Sequence, residues 1–299
     1  MSRINPLTGI VLASAAAISF AANTTASPIA AAGGSTVLTY LALRSTVAAL
    51  LVFALLIATR SSLRLAPRRR WAAFGVGTVL AIYSVSLLSA IQYIPVALAV
   101  LIFYTFPLLT TLYLWITGQE RASWTAGAAL LIAFIGLVLA LNVGDRSPDL
   151  RGIALAALAA LGITAVVLLN SRLVGAGDSR PVTLHMLSAA SFVFIVVTAA
   201  LGEFALPDTA RAWWAFSTGP FFYAFAIVSI FVAMSILGPI RTSMTMNLEP
   251  VSSMVLGFVL LDQALNGLQI LGAALVIVAV LTIQRTKGQA RTPAKGGLS

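Results

Sequence analysis

The stretch Ile240–Leu261, IRTSMTMNLEPVSSMVLGFVLL, decides how the chain is read. It is apolar and long enough to cross a bilayer, which takes about 20 helical residues. Yet Glu249 and Pro250 stand near its middle. At 1.5 Å per residue, Glu249 lies roughly 13 Å inside the nearer end, close to the midplane of a ~30 Å hydrocarbon core. A charge there costs roughly 2.5–3.5 kcal/mol on insertion scales, so such groups face a cavity or a partner. Pro250 has no amide hydrogen, which leaves the carbonyl of Met246 without its helical donor. Thr242, Thr245, Glu249 and Ser252 step by 3, 4 and 3, placing four polar groups on one helical face. The bland alternative is a tolerated proline kink with a protonated glutamate against a neighbouring helix. An acid beside a freed carbonyl at mid-membrane reads as a site.

Composition supports the setting. Sixty per cent hydrophobic residues, nine per cent charged and a mean hydropathy of +1.02 define a polytopic α-helical membrane protein. The chain has no cysteine, one histidine and eight acids, too few for a metal cluster, and no cofactor is expected. Its net charge of +10 comes from basic residues in short loops between apolar runs. That distribution suits an anionic membrane face and not nucleic acid. Enzyme motifs are missing too. There is no phosphate-binding loop, the only lysines being Lys287 and Lys295 near the C-terminus, and no metalloprotease or hydrolase motif.

Ten apolar segments are predicted: residues 7–26, 37–59, 72–90, 94–117 (interrupted at Pro107), 124–143, 152–170, 183–201, 218–237, 240–261 and 267–284. Trp213 and Trp214 suit an interfacial loop. Asn23-Thr24-Thr25 matches a glycosylation sequon at a membrane border. The tail from Arg285 is basic and expected to be disordered. With an inside N-terminus, fourteen Lys and Arg fall on the inside and three outside, with Arg44 within a segment. Both termini are therefore expected in the cytoplasm.

The chain also repeats itself. Shifted by 143 residues, Gly9-Ile10-Val11-Leu12-Ala13 falls on Gly152-Ile153-Ala154-Leu155-Ala156, Pro107 on Pro250, Ser86 on Ser229, Ser45 on Ser188 and Glu120 on Gln263. Five spans per unit, an odd number, turn the second unit upside down. Inverted repeats with proline-broken helices at matching positions point to a transporter's midplane site. The expected units are 1–143, 144–286 and a basic tail, 287–299. Alanine stripes, Ala13-Ala17-Ala21 and Ala156-Ala160-Thr164, make helices 1 and 6 either closely packed or sliding elements.

Residues 90–121 (AIQYIPVALAVLIFYTFPLLTTLYLWITGQER) and 238–281 (GPIRTSMTMNLEPVSSMVLGFVLLDQALNGLQILGAALVIVAVL) resemble the paired helix 3–5 and 8–10 regions of EamA-type proteins of the drug/metabolite transporter superfamily. The resemblance covers nearly the whole chain. It implies ten helices in two inverted five-helix repeats around a central cavity, and usually export of metabolites such as amino acids. One departure is Asp262-Gln263, where the family's second repeat usually carries Gly-Glu. A lipid-linked substrate flippase, or a non-transporting membrane partner of the same architecture, stays open.

The expected function is a secondary transporter exporting amino acids or related solutes across the inner membrane by alternating access. Glu249 binds either a proton or a substrate amine, with the carbonyls of Phe103 and Met246 assisting. Arg44, about seven residues into helix 2, meets an anionic group or Glu249, or else snorkels outward. Tyr83 and Ser86, a turn apart, and Tyr104 are candidate cavity-lining groups. Asn247 is expected to point away from Glu249's face. His185 reads as interfacial, and Glu120 beside Arg121 as a local charge pair.

Overall fold

The structure, a computed structural model, describes residues 5–94, 96–141, 149–174, 178–261 and 266–285. Asp262, Gln263 and the tail beyond Arg285 lie outside these. In lipid no water satisfies the backbone, so each apolar run must close its own hydrogen bonds as a helix. The first half holds α1 (Pro6–Ala32), α2 (Val37–Ala58), α3 (Pro67–Ala90), α4 (Val96–Phe103), α5 (Phe106–Ile116) and α6 (Trp124–Leu141). The second holds α7 (Leu150–Val174), α8 (Arg180–Leu201), α9 (Ala210–Leu237), α10 (Pro239–Thr245), α11 (Leu248–Leu261) and α12 (Gly267–Arg285). Side chains close several helix starts. Asn5 accepts from the Leu7 amide, Thr36 from Thr39 and Thr209 from Ala212. Gly202, at φ 66°, turns the chain out of α8.

These helices make ten membrane crossings, because the fourth is split into α4 and α5 and the ninth into α10 and α11. All ten predicted segments are present. Trp213 and Trp214 sit inside the first turns of α9 rather than in a loop, still exposed as a belt would require. The proline reading needs correction. Pro107 and Pro250 stand in the first turns of α5 and α11, where a missing amide hydrogen has no acceptor to lose. The break comes before each proline, and the Met246 carbonyl accepts the Glu249 amide at 2.9 Å. Thr242 and Thr245 thus belong to one helix, Glu249 and Ser252 to another, so the four-residue face is not continuous.

The 143-residue shift recurs in three dimensions. It carries α2, 37–58, onto α8, 180–201, without a residue of difference. Packing follows the same twofold logic: α1 lies against α9 and α7 against α3, while α2 pairs with α8 and α6 with α12. Residue contacts show that these pairs are antiparallel. On α2 and α8, Thr39 reaches the Glu203 carbonyl, Thr46 meets Ser191, and Thr59 meets Arg180. At one end of the pair α1–α9, Gly9 abuts Leu237; at the other, Gly33 abuts Ala212. The repeats are inverted and interlocked.

The basic loops gather at one end, where Arg180 bonds Asp178, Thr59 and Ser61, and Arg172 bonds the Tyr113 hydroxyl. At the far end the 33–36 and 202–209 loops join, the Asp208 amide donating to Gly33. Between the ends, large apolar side chains such as Leu50, Phe53, Phe192, Ile195 and Phe225 are exposed on the outer surface. Water would reject such a surface; lipid accepts it. Inside, a central core includes Leu80, Tyr104, Phe106, Met186, Phe194, Tyr223 and Met246.

Candidate functional site

Glu249 opens α11 just after the break in the ninth crossing, and its carboxylate accepts the Thr24 hydroxyl of α1 at 3.2 Å. Tyr104, in the matching break of the fourth crossing, brings its phenol to the same carboxylate. An aromatic wall follows. The Tyr83 ring stacks on Phe103, centroids 5.8 Å apart, and Phe103 meets Tyr104 edge-on at 5.5 Å. Gly162 of α7 makes room for this wall, since a Cβ there would lie 2.5 Å from that of Tyr83.

Arg44 points inward and not to the membrane surface. Its guanidinium lies 4.4 Å above the ring of Tyr223, whose own edge meets Phe20. Arg44 and Glu249 are close enough to act on one another electrostatically. They nevertheless form no ion pair, and the Arg44 Nε is buried without a protein acceptor. Among the described residues the ion pair is Arg180–Asp178, at the basic end. Arg44, Tyr83 and Glu249 are half-buried and Thr24 is exposed. A cation and an anion, both half-buried, therefore act on one another without neutralising each other by contact.

The other predicted residues separate from this cluster. Thr245 is buried in α10, its hydroxyl on the Arg241 carbonyl at 2.7 Å. Ser86 is buried on α3 and Ser252 half-buried on α11; neither is hydrogen-bonded to the cluster among the described residues. Pro107 and Pro250 set the helix starts. His185 is held by the Pro181 carbonyl at 2.8 Å and faces Phe74 near the basic end. Glu120 makes no ion pair with Arg121 among the described residues, a correction; burial instead pushes its carboxyl above the usual range.

Two contributors escaped the sequence reading. Thr24 was visible only as part of a sequon, yet Asn23 is 1% exposed and its side-chain oxygen accepts the Tyr40 hydroxyl at 3.0 Å, so it is a packing residue. A usable signal was Pro28: inside α1 it removes the donor for the Thr24 carbonyl, the logic first applied to Pro250. Tyr223 carried no signal, because only the fold sets it beneath Arg44. One turn beyond Thr24 along α1, a cavity of about 340 Å³ is lined by Pro28, Ile29, Gly33, Thr209 and Arg211 and includes none of the cluster.

Ten crossings in two inverted repeats, with a half-buried acid at the break of the ninth, define a multi-pass membrane protein of transporter architecture. The EamA-like transporter family model matches the chain twice, over residues 7–142 and 150–285, and the chain belongs to that family. No curated protein matches it. Among solved structures of similar fold is one described only as "Crystal structure of protein", 21% identical, spanning 93% of this chain and 95% of that one with a TM-score of 0.71. At that identity the likeness concerns the fold alone.

Proposed function

We propose that the protein is a secondary transporter for small zwitterionic solutes, amino acids or close relatives, and that it exports them across the inner membrane by alternating access. The carrying observation is that half-buried Arg44 and Glu249 act on one another electrostatically without forming an ion pair. A zwitterion completes both at once. Its ammonium meets the Glu249 carboxylate, with the Thr24 carbonyl freed by Pro28 as a further acceptor. Its carboxylate meets the guanidinium of Arg44, whose planar fork suits a bidentate contact. Tyr83, Tyr104 and Tyr223 supply an apolar wall for the side chain. The excess of basic residues at one end supports cytoplasmic termini, and interlocked inverted repeats are the architecture in which two halves rock about a midplane site.

The test is counterflow in proteoliposomes with a labelled amino acid, its decarboxylated amine and its deaminated acid. The expected result is saturable exchange of the amino acid alone, lost in Glu249→Gln. If the variant keeps exchange and loses only its response to a pH gradient, Glu249 carries the coupling proton instead of the amine. No exchange of any solute by folded protein would overturn the reading in favour of a lipid-linked substrate or a partner role.

A further inference from the structure

Polar side chains on the two sides of Glu249 differ in exposure. Toward the far end stand exposed Thr24 and half-buried Arg44 and Glu249. Toward the basic end polar side chains are shut inside the protein. Asn247 (2% exposed), Thr242 (0%) and Asn170 (1%) descend from the acid toward that end, and Asn247 Oδ1, Thr242 Oγ1 and both side-chain atoms of Asn170 are buried with no hydrogen-bond partner. Native proteins rarely leave buried polar atoms unpaired, and each instance calls for an explanation.

Their placement supplies one. Leu168 of α7, Leu114 of α5 and Ile240 and Met244 of α10 form one apolar cluster near the basic end, and Arg172 bonds Tyr113 beside it. Asn170 and Thr242 lie in that layer but face elsewhere. Asn170 is three and four residues from Val167 and Val166, and Thr242 is four from Met246, all members of the central core. Helical spacing therefore directs both toward the central core and away from the peripheral cluster.

We propose that Asn247, Thr242 and Asn170 form a second polar station between Glu249 and the basic end. It binds the polar groups of the passing solute, or its water, when that half opens. In the state described here these three side chains are closed off from the surface. An Asn amide and a Thr hydroxyl donate and accept alike, so the station serves ammonium and carboxylate without holding either by charge.

The chain has no native cysteine, which makes single-cysteine labelling clean. Asn170→Cys and Thr242→Cys are compared with Leu168→Cys and Met244→Cys from the same layer, and with exposed Ser62→Cys, in sided vesicles treated with a membrane-impermeant thiol reagent. Labelling of Asn170→Cys and Thr242→Cys from the basic side, on the order of tenfold faster than the apolar pair, is expected, because reactivity follows exposure of the thiol. If all four stay inert while Ser62→Cys reacts, or all four react alike, the station does not exist. Asn170→Leu gives a second, independent readout. An unpaired amide replaced by an apolar isostere should raise the melting temperature of the detergent-solubilised protein. A fall would mean that the amide is bonded in the resting state, and would overturn the inference. Neither readout requires the solute to be known, so both stand apart from the zwitterion assignment.

Discussion

The fourth and ninth crossings are one design with two chemistries. Both are split, both restart on a turn containing proline, and the 143-residue shift superposes them. It also sets Phe106 against Glu249 and Tyr104 against Asn247. In the first repeat the restart is filled by core aromatics; in the second it carries a half-buried acid. Symmetry therefore accounts for the backbone break, and departure from symmetry for the site. A break creates a place where side chains converge at mid-membrane. What converges there is decided by one repeat contradicting the other.

The comparison breaks most sharply on Glu249→Phe, which makes the ninth crossing resemble the fourth. Losing a charged hydrogen-bond partner worth about 1.5–3 kcal/mol predicts a fall in exchange of roughly 10- to 100-fold. Full exchange by a folded Glu249→Phe protein would remove the acid from the mechanism. Arg44→Gln comes next. It leaves the ammonium half of the site intact, so KM for the zwitterion should rise about tenfold, the loss of one charge-assisted pair, while the decarboxylated amine gains relative to it. Equal losses for both solutes would place Arg44 in packing.

A third effect falls on the scaffold that holds α1 beside the site. A Cβ on Gly219 would lie 1.8 Å from the Tyr40 hydroxyl oxygen. Gly219→Ala should cost about 1–3 kcal/mol and lower the melting temperature. Because the clashing atom is the hydroxyl, Tyr40→Phe in the same chain should restore part of the loss. No recovery would mean the ring, not its oxygen, limits the approach.

The smallest effects lie at the basic end, outside the membrane. Hydrogen bonding to Arg180 holds the Asp178 carboxyl below its usual range, so its contribution is present above the unfolded-state value and lost as pH falls through the lowered one. Solvent screening limits this to under about 1 kcal/mol. Glu120 has the opposite sign. Burial raises it, so stability declines as pH climbs from the ordinary carboxylate value to the raised one. Glu120→Gln should abolish that decline in thermal melts taken from acid to neutral pH, and Asp178→Asn should remove the acid-side loss.

Much of the architecture was legible because membrane folding is severe. Apolar length gives the crossings, the distribution of arginines marks one end of the bundle as basic, and a fixed repeat offset gives the inversion. Those signals are local, or depend on one number carried along the chain. The same locality explains the errors. Spacing along a presumed continuous helix grouped Thr242 and Thr245 with Glu249 and Ser252, but the break before Pro250 separated them. Pro250 on a continuous helix implies a free Met246 carbonyl, but that carbonyl accepts the Glu249 amide. Thr24 has its own local signal, since Pro28 stands one turn away.

By itself the sequence determined that the chain spans a membrane ten times, that it is two copies of one unit, and that Glu249 stands within an apolar segment. Hydrophobicity and periodicity are properties of a segment, and lipid leaves a segment no choice but helix. Only the tertiary structure decided that Arg44 turns inward over Tyr223, that Tyr104 and Thr24 reach the acid, and that cation and anion stay apart. These contacts join helices of both repeats, separated by up to 225 positions for Thr24 and Glu249. Side chains that far apart meet only where interlocked packing brings them.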